Sequence, residues 1–347
     1  MQKIEGIPIG INQPVFIIAE LSANHNGSLQ TAIETIKAAK RAGANAIKLQ
    51  TYTADTITLD AKTDYFKLKQ GTIWDGKYLY DLYKEAYTPW EWHPVLFEAA
   101  RKEGLVCFSS PFDNTAVDLL ESLNAPAYKI ASFEITDIPL IEYVASKGKP
   151  IIISTGIAEL HDIELAVNTC RSVGNNQIVL LKCTSSYPAP IEEANIKMIP
   201  DMANRFGVLT GLSDHTMGIT VPVAATVLGA RVIEKHFILD RSIGGPDSSF
   251  SLNEAEFTAM VKAVREAELA LGEVNYNLTE KQSKGREFSR SLFVAERINK
   301  GEVFTTQNVR SVRPGYGLHP KFLKDILGKK AKVDIEKGTP LKENLIE

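Results

Sequence analysis

The stretch PIIISTGI, residues 150–157, carries the signal that decides the fold. Pro150–Ser154 is a continuous apolar run without alternation, which is typical of a strand buried on both faces. The run ends in Ser154, Thr155 and Gly156, whose hydroxyl and backbone N–H groups are able to bond an anion. The stretch therefore predicts a buried parallel strand with a polar carboxyl end.

Seven further short apolar runs, most of them continuous, recur along the chain: Val15–Leu21, Ala46–Gln50, Leu105–Ser109, Ala127–Ala131, Ile178–Cys183, Gly207–Leu212 and Arg231–Lys235. Segments with a helical pattern lie between them: Leu29–Ala42, Trp90–Glu103, Thr115–Leu123, Pro139–Lys147 and Leu160–Val173. Eight βα repeats in about 250 residues predict an α/β fold, the (β/α)8 TIM barrel. A doubly wound open sheet is the alternative, but no GxGxxG motif follows an early strand.

The pattern changes after the amphipathic helix predicted at Glu254–Leu271. We interpret residues 1–275 as the barrel and the polar residues 276–288 as a linker. Residues 289–347 show short β-like runs with Lys-Gly turns, which predict a small, mostly β domain. Within it, residues 298–302 and 335–339 are similar and suggest a pair of turns.

Composition fits a large globular protein, since 44% of the 347 residues are hydrophobic. We see no secretory signal and no apolar stretch of about 18 residues, and we expect a cytoplasmic protein that does not span a membrane. Cys107, Cys170 and Cys183 lack CxxC spacing, so free thiols in a reducing compartment are expected.

Charge is divided unevenly along the chain. Residues 281–347 contain 15 Lys+Arg and 8 Asp+Glu, a net charge of +7. Residues 1–280 contain 24 Lys+Arg and 34 Asp+Glu, a net charge of −10. Nucleic-acid binding would explain a basic tail, but no stacking aromatic residues accompany the charges. We favour a tail that docks on the acidic body or helps to bind an anionic substrate.

Polar residues follow the apolar runs, where a TIM barrel builds its active site. They are Glu20, Asn24, His25, Lys48, Gln50, Ser109, Ser110, Lys129, Ser132, Glu134, Ser154, Thr155, Gly156, Lys182, Thr184, Ser185, Tyr187, Ser213, Asp214, His215, Glu234 and His236. Strand ends are also polar simply because loops are polar. That explanation does not account for lysines and histidines that interrupt apolar runs.

Lys48 and Lys129 point to an anion. Each lies in or at the edge of an apolar strand, and a buried lysine needs an anionic partner such as phosphate or carboxylate. The nearby hydroxyl and Gly positions suit the same ligand, although any one hydroxyl could instead cap the following helix. These positions are Ser110, Ser132, Ser154, Thr155 and Gly156.

His215 and His236 point to a metal, because they end adjacent predicted strands. Two histidines leave the remaining positions to water or substrate oxygen, which suits Mn²⁺ or Mg²⁺ better than a closed zinc site. His25 either contacts a substrate or braces its own loop. His93, His161 and His319 are expected to be surface, satisfied or turn residues.

The chain resembles the nonulosonic (sialic) acid synthase family in several motifs that occur in the same order. They are IAELSANHNGS, AIKLQTY, CFSSPFD, YKIASFE, IISTGI, GLSDHTMG and VIEKHF, and SVRPGYGLHP resembles the family's C-terminal antifreeze-like (SAF) domain. The first loop and the aromatic stretch before His93 resemble the branch that acts on a diacetamido trideoxy sugar. The resemblance implies a metal-dependent enzyme that condenses phosphoenolpyruvate with an acetamido sugar, works as a domain-swapped homodimer and uses Mn²⁺ in preference to Mg²⁺ or Co²⁺.

The resemblance also implies roles for individual residues. Glu20, Lys48, Lys129, His215 and His236 would be catalytic, and the two histidines would bind the metal. Substrates would contact Gln50, Ser110, Ser132, Ser154, Gly156, Ser185, Tyr187, Ser213, Asp247 and, from the partner's tail, Arg313. One position departs from the family pattern, because Ser185 stands where the family has Asn.

Three other functions are compatible with parts of the pattern. A sialic or legionaminic acid synthase would use a different acetamido sugar. An aldol-type barrel lyase would take free pyruvate, often through a Schiff-base lysine. A degenerate barrel carrying an ice- or carbohydrate-binding tail would not be an enzyme.

Overall fold

The computed structural model describes residues 2–69, 71 and 74–347. The chain divides into two compact units, the first ending at Gly272 and the second spanning Glu273–Glu347. The predicted linker at 276–288 lies in the second unit. Among the described residues, no helix combines the length and the apolar character needed to cross a membrane.

A short hairpin opens the first unit. β1 (Gln2–Ile4) pairs antiparallel with β2 (Ile7–Ile9), and Gly6 makes the turn at a φ of +83° that favours glycine. Ile4 and Ile9 are fully buried among side chains from the barrel interior. The sequence pattern does not predict this hairpin, because strands of three residues are too short to show a periodicity.

Eight parallel strands form a closed barrel in the order β10-β3-β4-β5-β6-β7-β8-β9. They are β3 (Phe16–Glu20), β4 (Ala46–Thr51), β5 (Val106–Pro111), β6 (Tyr128–Ile130), β7 (Ile151–Ser154), β8 (Ile178–Cys183), β9 (Leu209–Asp214) and β10 (Val232–His236). Nearly every strand residue is buried, as the continuous apolar runs indicated. The predicted TIM barrel is confirmed, and each predicted strand overlaps an observed one.

Helices connect the strands and cover the barrel. They are α1 (Leu29–Arg41), α2 (Ala54–Ile57), α3 (Leu79–Ala86), α4 (His93–Lys102), α5 (Asn114–Ser122), α6 (Ile138–Ala145), α7 (Leu160–Ser172), α8 (Met198–Phe206), α9 (Thr220–Val227) and α10 (Glu254–Leu271). Ser28, Asp113 and Asp137 begin α1, α5 and α6 by accepting from backbone N–H groups. The sequence pattern does not single out α8 and α9, which contain Pro200 and Pro222. Proline usually argues against a helix, but both lie in the first turn, where it is tolerated.

The second unit has its own small core, formed by Leu292, Val294, Phe304 and Val309 among others. It contains α11 (Glu280–Gly285), β11 (Ser291–Val294), β12 (Val309–Val312) and α12 (Leu323–Ile326), with β11 and β12 antiparallel. The two similar turn pieces do pair, since Ile298 and Ile335 exchange backbone hydrogen bonds of 3.0 and 2.8 Å.

Candidate active site

Inward-facing residues change from apolar to polar along the barrel strands. A lower layer of apolar side chains fills the interior near the strand starts: Phe16, Ile18, Ala46, Val106, Phe108, Ala127, Ile152, Val179, Leu181 and Val232. Because side chains alternate between the two faces of a strand, the next inward positions form an upper layer at the carboxyl ends. That upper layer consists of Glu20, Lys48, Gln50, Ser110, Lys129, Ser154, Cys183, Ser213, Glu234 and His236.

The same alternation corrects one sequence-based placement. Lys182 lies between Leu181 and Cys183 and therefore faces away from the interior, where its Nζ donates to the Cys183 carbonyl at 2.5 Å. Lys182 does not join the upper layer.

Four charged side chains form a buried network in the upper layer. Lys48 Nζ lies 2.9 Å from Glu20 Oε1 and 3.0 Å from Glu234 Oε1. Lys129 Nζ lies 3.3 Å from the same Glu234 oxygen, to which Ser213 Oγ also donates at 2.9 Å. Two ammonium groups thus converge on one carboxylate oxygen, an arrangement that a phosphate or carboxylate ligand is able to take over.

Burial and pairing together set the ionisation of this network. Burial lowers the pKa of Lys129, and the neighbouring Lys48 charge adds to the effect against the opposing pull of Glu234. For Lys48, burial is outweighed by Glu20 and Glu234, which raise its pKa. For Glu20, burial is outweighed by His236, Lys48 and Lys129, which hold its pKa well below the usual range. Lys129 is thus the lysine whose charge an added anion would stabilise most, whereas Lys48 already has two carboxylate partners.

Hydroxyl groups lie beside the network on three neighbouring loops. Ser185 Oγ donates to Ser132 Oγ at 2.8 Å, and Ser132 Oγ accepts from the backbone N–H of Ile157 at 3.0 Å. A Cβ at Gly156 would overlap Ser185 Oγ and lie 2.6 Å from Ser132 Oγ, so a larger residue there would displace both hydroxyls. Ser110 Oγ and Ser154 Oγ are buried without a hydrogen-bond partner, which leaves both available to a ligand.

His215 and His236 face each other at the ends of β9 and β10, with ring centroids 5.2 Å apart. His215 Nδ1 donates to the Thr184 carbonyl at 2.9 Å, which leaves Nε2 as the free lone pair of the neutral ring. His236 Nε2 lies 3.3 Å from Glu20 Oε2, and the buried Nδ1 of His236 has no hydrogen-bond partner.

These two imidazoles fit a divalent cation. Their separation is one that a single ion about 2.1 Å from each nitrogen can bridge. The carbonyl bond to His215 is the kind of outer contact that orients a metal-binding imidazole. Across residues 2–69, 71 and 74–347 no three His, Cys, Asp or Glu side chains group to hold an ion. Further ligands would therefore be water or substrate oxygen, as the two-histidine prediction supposed.

The residues predicted for the sugar border the histidines. Gln50 Nε2 donates to Glu20 Oε1 at 3.2 Å, and Asp247 Oδ2 lies 3.8 Å from His236 Nδ1. The Tyr187 ring packs 4.5 Å from His215 and 5.2 Å from Phe250. Carboxylates and aromatic faces thus surround the imidazole pair, a lining suited to a sugar with apolar substituents.

The loop between β3 and α1 is held in place by its own polar residues. His25 Nδ1 accepts from the Gly27 N–H at 3.1 Å, and its Nε2 lies 3.3 Å from Thr88 Oγ1. Asn24 Nδ2 donates to the Phe237 carbonyl at 3.0 Å. Burial lowers the pKa of His25 to about 4, which keeps the ring neutral. Of the two roles considered for His25, these contacts are those of the loop brace.

Arg313 lies in the second unit. It lines an open groove of about 600 Å³ together with Tyr276, Leu278, Gln282, Gly285, Arg286, Phe288 and Ser289. The structure brings all the other predicted site residues to the barrel's carboxyl end or the loops beside it.

Two carboxylates have a larger part in the site than sequence reasoning gave them. Glu234 is the centre of the charged network, and its place two residues before His236 was the signal that it also faces inward. Glu134 ends the short helix after β6, and its buried Oε2 has no hydrogen-bond partner. Burial raises the pKa of Glu134 to about 7, against the opposing effect of Lys129.

Comparisons with known proteins point to one family over nearly the whole chain. Residues 35–276 match the sequence model of the NeuB family, and residues 289–347 match that of the SAF domain. A pseudaminic acid synthase from Campylobacter jejuni is 52% identical over 333 residues, covering 96% of this chain and 97% of that protein. An N,N'-diacetyllegionaminic acid synthase from Legionella pneumophila is 36% identical, covering 98% of this chain and 97% of that protein.

A solved structure shares the architecture. It is the N-acetylneuraminic acid (sialic acid) synthetase from Leptospira borgpetersenii, crystallised in complex with citrate. The two align with a TM-score of 0.73 and 31% identity, over 82% of this chain and 94% of that one.

Proposed function

The chain belongs to the NeuB family, and from this premise we propose that it condenses phosphoenolpyruvate with 2,4-diacetamido-2,4,6-trideoxy-L-altrose and water. The products are pseudaminic acid and phosphate. The pseudaminic acid synthase from Campylobacter supports this sugar, because it is far more similar than the relative that makes a legionaminic acid. The chain is accordingly a synthase that forms a C–C bond.

One structural observation carries the proposal: two buried lysines share one carboxylate oxygen beside a facing pair of imidazoles. Phosphoenolpyruvate brings a phosphate and a carboxylate, and Lys48 and Lys129 provide one ammonium group for each. Ser110 and Ser154 have unused hydroxyls, and Ser132, Ser185 and Ser213 provide further donors. Gly156 keeps this pocket open. The anion is thus fixed in position and in orientation.

His215 and His236 would hold a divalent cation, with Mn²⁺ preferred to Mg²⁺ or Co²⁺. Such a cation, when bound, supplies Lewis acidity for the sugar aldehyde and for water. Glu20 lies against both His236 and Lys48, so it is placed to orient the water that reacts. Gln50 and Asp247 flank Glu20 and His236 and are assigned to the sugar side.

The bond changes follow from the two substrates. C3 of phosphoenolpyruvate adds to the open-chain aldehyde carbon, and water adds at C2. The tetrahedral product loses phosphate by C–O cleavage, and the aldehyde oxygen ends as a hydroxyl that carries a proton derived from water. Lys48 and Lys129 stabilise the phosphate and carboxylate charges throughout, which is electrostatic catalysis by groups already in place.

A sugar panel tests the substrate. We expect phosphate release from phosphoenolpyruvate with the trideoxy altrose, and a kcat/KM at least about 100-fold lower with N-acetylmannosamine or the legionaminic acid precursor. A preference for either of these would assign the chain to the corresponding synthase. Turnover of free pyruvate, trapped on a lysine by borohydride, would overturn the condensation with phosphoenolpyruvate.

An isotope experiment tests C–O cleavage. With ¹⁸O in the bridging position of phosphoenolpyruvate, we expect the label in the released phosphate. Label retained in the sugar acid would require P–O cleavage and would exclude the order of steps given above.

We further propose that the protein is a cytoplasmic, domain-swapped homodimer in which Arg313 completes the partner's site. The three free, buried cysteines suit a reducing compartment. Exposed Phe288 and Arg313 line the groove of the second unit, and its basic charge complements the acidic residues 1–280.

Complementation between variants tests the swap. His236→Ala alters the barrel and Arg313→Ala alters the tail, so each alone should lose activity. If subunits exchange and sites are shared, mixing the two should restore about a quarter of wild-type activity, because half of the dimers are mixed and each has one intact site. No recovery with demonstrated subunit exchange would show that each site is built from one chain.

A further inference from the structure

A buried ion pair lies behind the two histidines, on the outer face of the strands that carry them. Lys235 Nζ lies 2.5 Å from Asp214 Oδ2, and the two side chains are 0% and 2% exposed. Lys235 and Asp214 are also register partners across β10 and β9. Neither side chain belongs to the charged network around Glu234, which faces the barrel interior.

Both ends of the segment that contains His215 are tied to this pair. Lys235 Nζ also donates to the Thr216 carbonyl. Asp214 Oδ1 accepts from the Thr216 N–H at 3.0 Å and from Thr216 Oγ1 at 2.8 Å. Asp214, Thr216 and Lys235 together form what we name the clasp. His215 is the single residue between its two anchored loop positions.

The clasp reaches the second histidine through the backbone. His236 directly follows Lys235, and alternation along β10 places the two side chains on opposite faces. A shift of Lys235 therefore moves both imidazoles, one through the loop and one through the strand.

We propose that Lys235 is a positioning residue that sets the spacing of His215 and His236 for a divalent cation. This inference rests on the proposed function of the two histidines. A buried ion pair contributes little net stability compared with apolar residues of the same size, and specifying one conformation is a recognised reason for such a pair to persist. Here the conformation specified is that of the Asp214–Thr216 loop.

The test is Mn²⁺ binding, measured by the loss of the electron paramagnetic resonance signal of the free ion. The main variant is Lys235→Met with Asp214→Asn, because changing both partners leaves no buried charge unpaired. Its matched control is Lys149→Met, which removes a lysine 2.6 Å from Glu121 before β7, at the opposite end of the barrel. Thr216→Val is a milder variant that keeps the ion pair and deletes only the hydroxyl bond to Asp214.

We expect the double variant to bind Mn²⁺ about 10- to 100-fold more weakly than wild type, the range found when outer contacts of metal-binding histidines are removed. The Lys149→Met control should bind as wild type does. If the double variant does not fold, Thr216→Val decides, with an expected loss of about 3- to 10-fold. Wild-type affinity in a folded double variant, or in Thr216→Val if the double variant does not fold, would overturn the positioning role and leave the proposed function intact.

The outcomes separate the inference from its premise. If wild type itself binds no Mn²⁺, Mg²⁺ or Co²⁺, the metal role of the two histidines fails and the role of Lys235 fails with it. A kinetic readout adds to the distinction: the double variant should regain much of its kcat at saturating Mn²⁺. A purely structural defect would lower kcat at every Mn²⁺ concentration.

Discussion

The lower and upper layers of the barrel interior come from the same eight strands, yet they differ in every chemical respect. The lower layer is apolar, fully buried and capped by the N-terminal hairpin through Ile4 and Ile9. The upper layer, one or two inward positions further along, holds two lysines, two carboxylates and a histidine at similar burial. Chemistry and stability are therefore separated by a few ångströms along each strand.

The difference shows where this fold tolerates the free-energy cost of burying charged groups. Burying charges is unfavourable unless each has a partner, and the upper layer meets this condition only in part, since Glu234 Oε2 and His236 Nδ1 lack hydrogen-bond partners. The lower layer offsets that cost by burying apolar surface. Substitutions in the upper layer should therefore change activity, whereas those in the lower layer should change stability.

The largest effect is expected in the upper layer. His215→Ala should lower phosphate release by about 10³-fold or more, because the site loses one of its two imidazoles for the cation. The melting temperature should stay close to that of wild type. The exposed His161 offers a control, and His161→Ala should keep full activity. Undiminished turnover of His215→Ala in chelated buffer would remove the metal role from this layer.

The lower layer gives the opposite result. Phe108 is fully buried, and Phe108→Ala should lower the free energy of unfolding by about 3–5 kcal/mol, through lost burial and a cavity. Phosphate release per folded molecule should change by less than about threefold. Urea unfolding gives the first quantity and activity below the transition gives the second. A Phe108→Ala variant that is stable but inactive would contradict the division of stability and activity between the two layers.

Lys129→Met sharpens the comparison, because Glu234 keeps one of its two ammonium partners, Lys48 at 3.0 Å. The variant leaves Glu20 and Glu234 to share one ammonium group, so a modest loss of stability should accompany the loss of activity. The kcat/KM for phosphoenolpyruvate should fall about 100-fold, since one of two ammonium groups for the anion is gone. Lys149→Met, which alters a partly exposed pair outside the interior, should leave kcat/KM unchanged. A large drop in melting temperature for Lys129→Met would mean that the network is structural.

The sequence predicted the barrel because most of the eight strands are continuous apolar runs, and a strand buried on both faces leaves little ambiguity. It also predicted most of the upper layer, because charged residues such as Lys48 and His236 interrupt those runs visibly. Which residues of a strand face the barrel interior is harder to predict from sequence. Lys182 interrupts a run in the same way as Lys48 does, yet it faces outward.

Other features depend on contacts that span the chain. The hairpin is held by tertiary burial of Ile4 and Ile9 rather than by its own pattern. The clasp joins Asp214 to Lys235, 21 positions apart, and nothing local to either residue shows the pair. In the sequence Glu134 is one polar strand-end residue among many, and only its buried, unpartnered Oε2 distinguishes it in the structure.

Glu134 gives the smallest expected effect, at the edge of the upper layer. Its pKa of about 7 in the folded protein lies above the unfolded value of 4.5, so between these values the folded state keeps a proton that the unfolded state has lost. The unfolding free energy should therefore fall as pH rises from about 4.5 to 7. Partial exposure limits the change to about 1–2 kcal/mol. Glu134→Gln should remove this slope, while the exposed Glu164→Gln should retain it, as measured by urea unfolding at pH 5 and pH 7.5. An identical slope in Glu134→Gln would show that this carboxyl is ionised when folded, and that the charged part of the upper layer extends further than its geometry indicates.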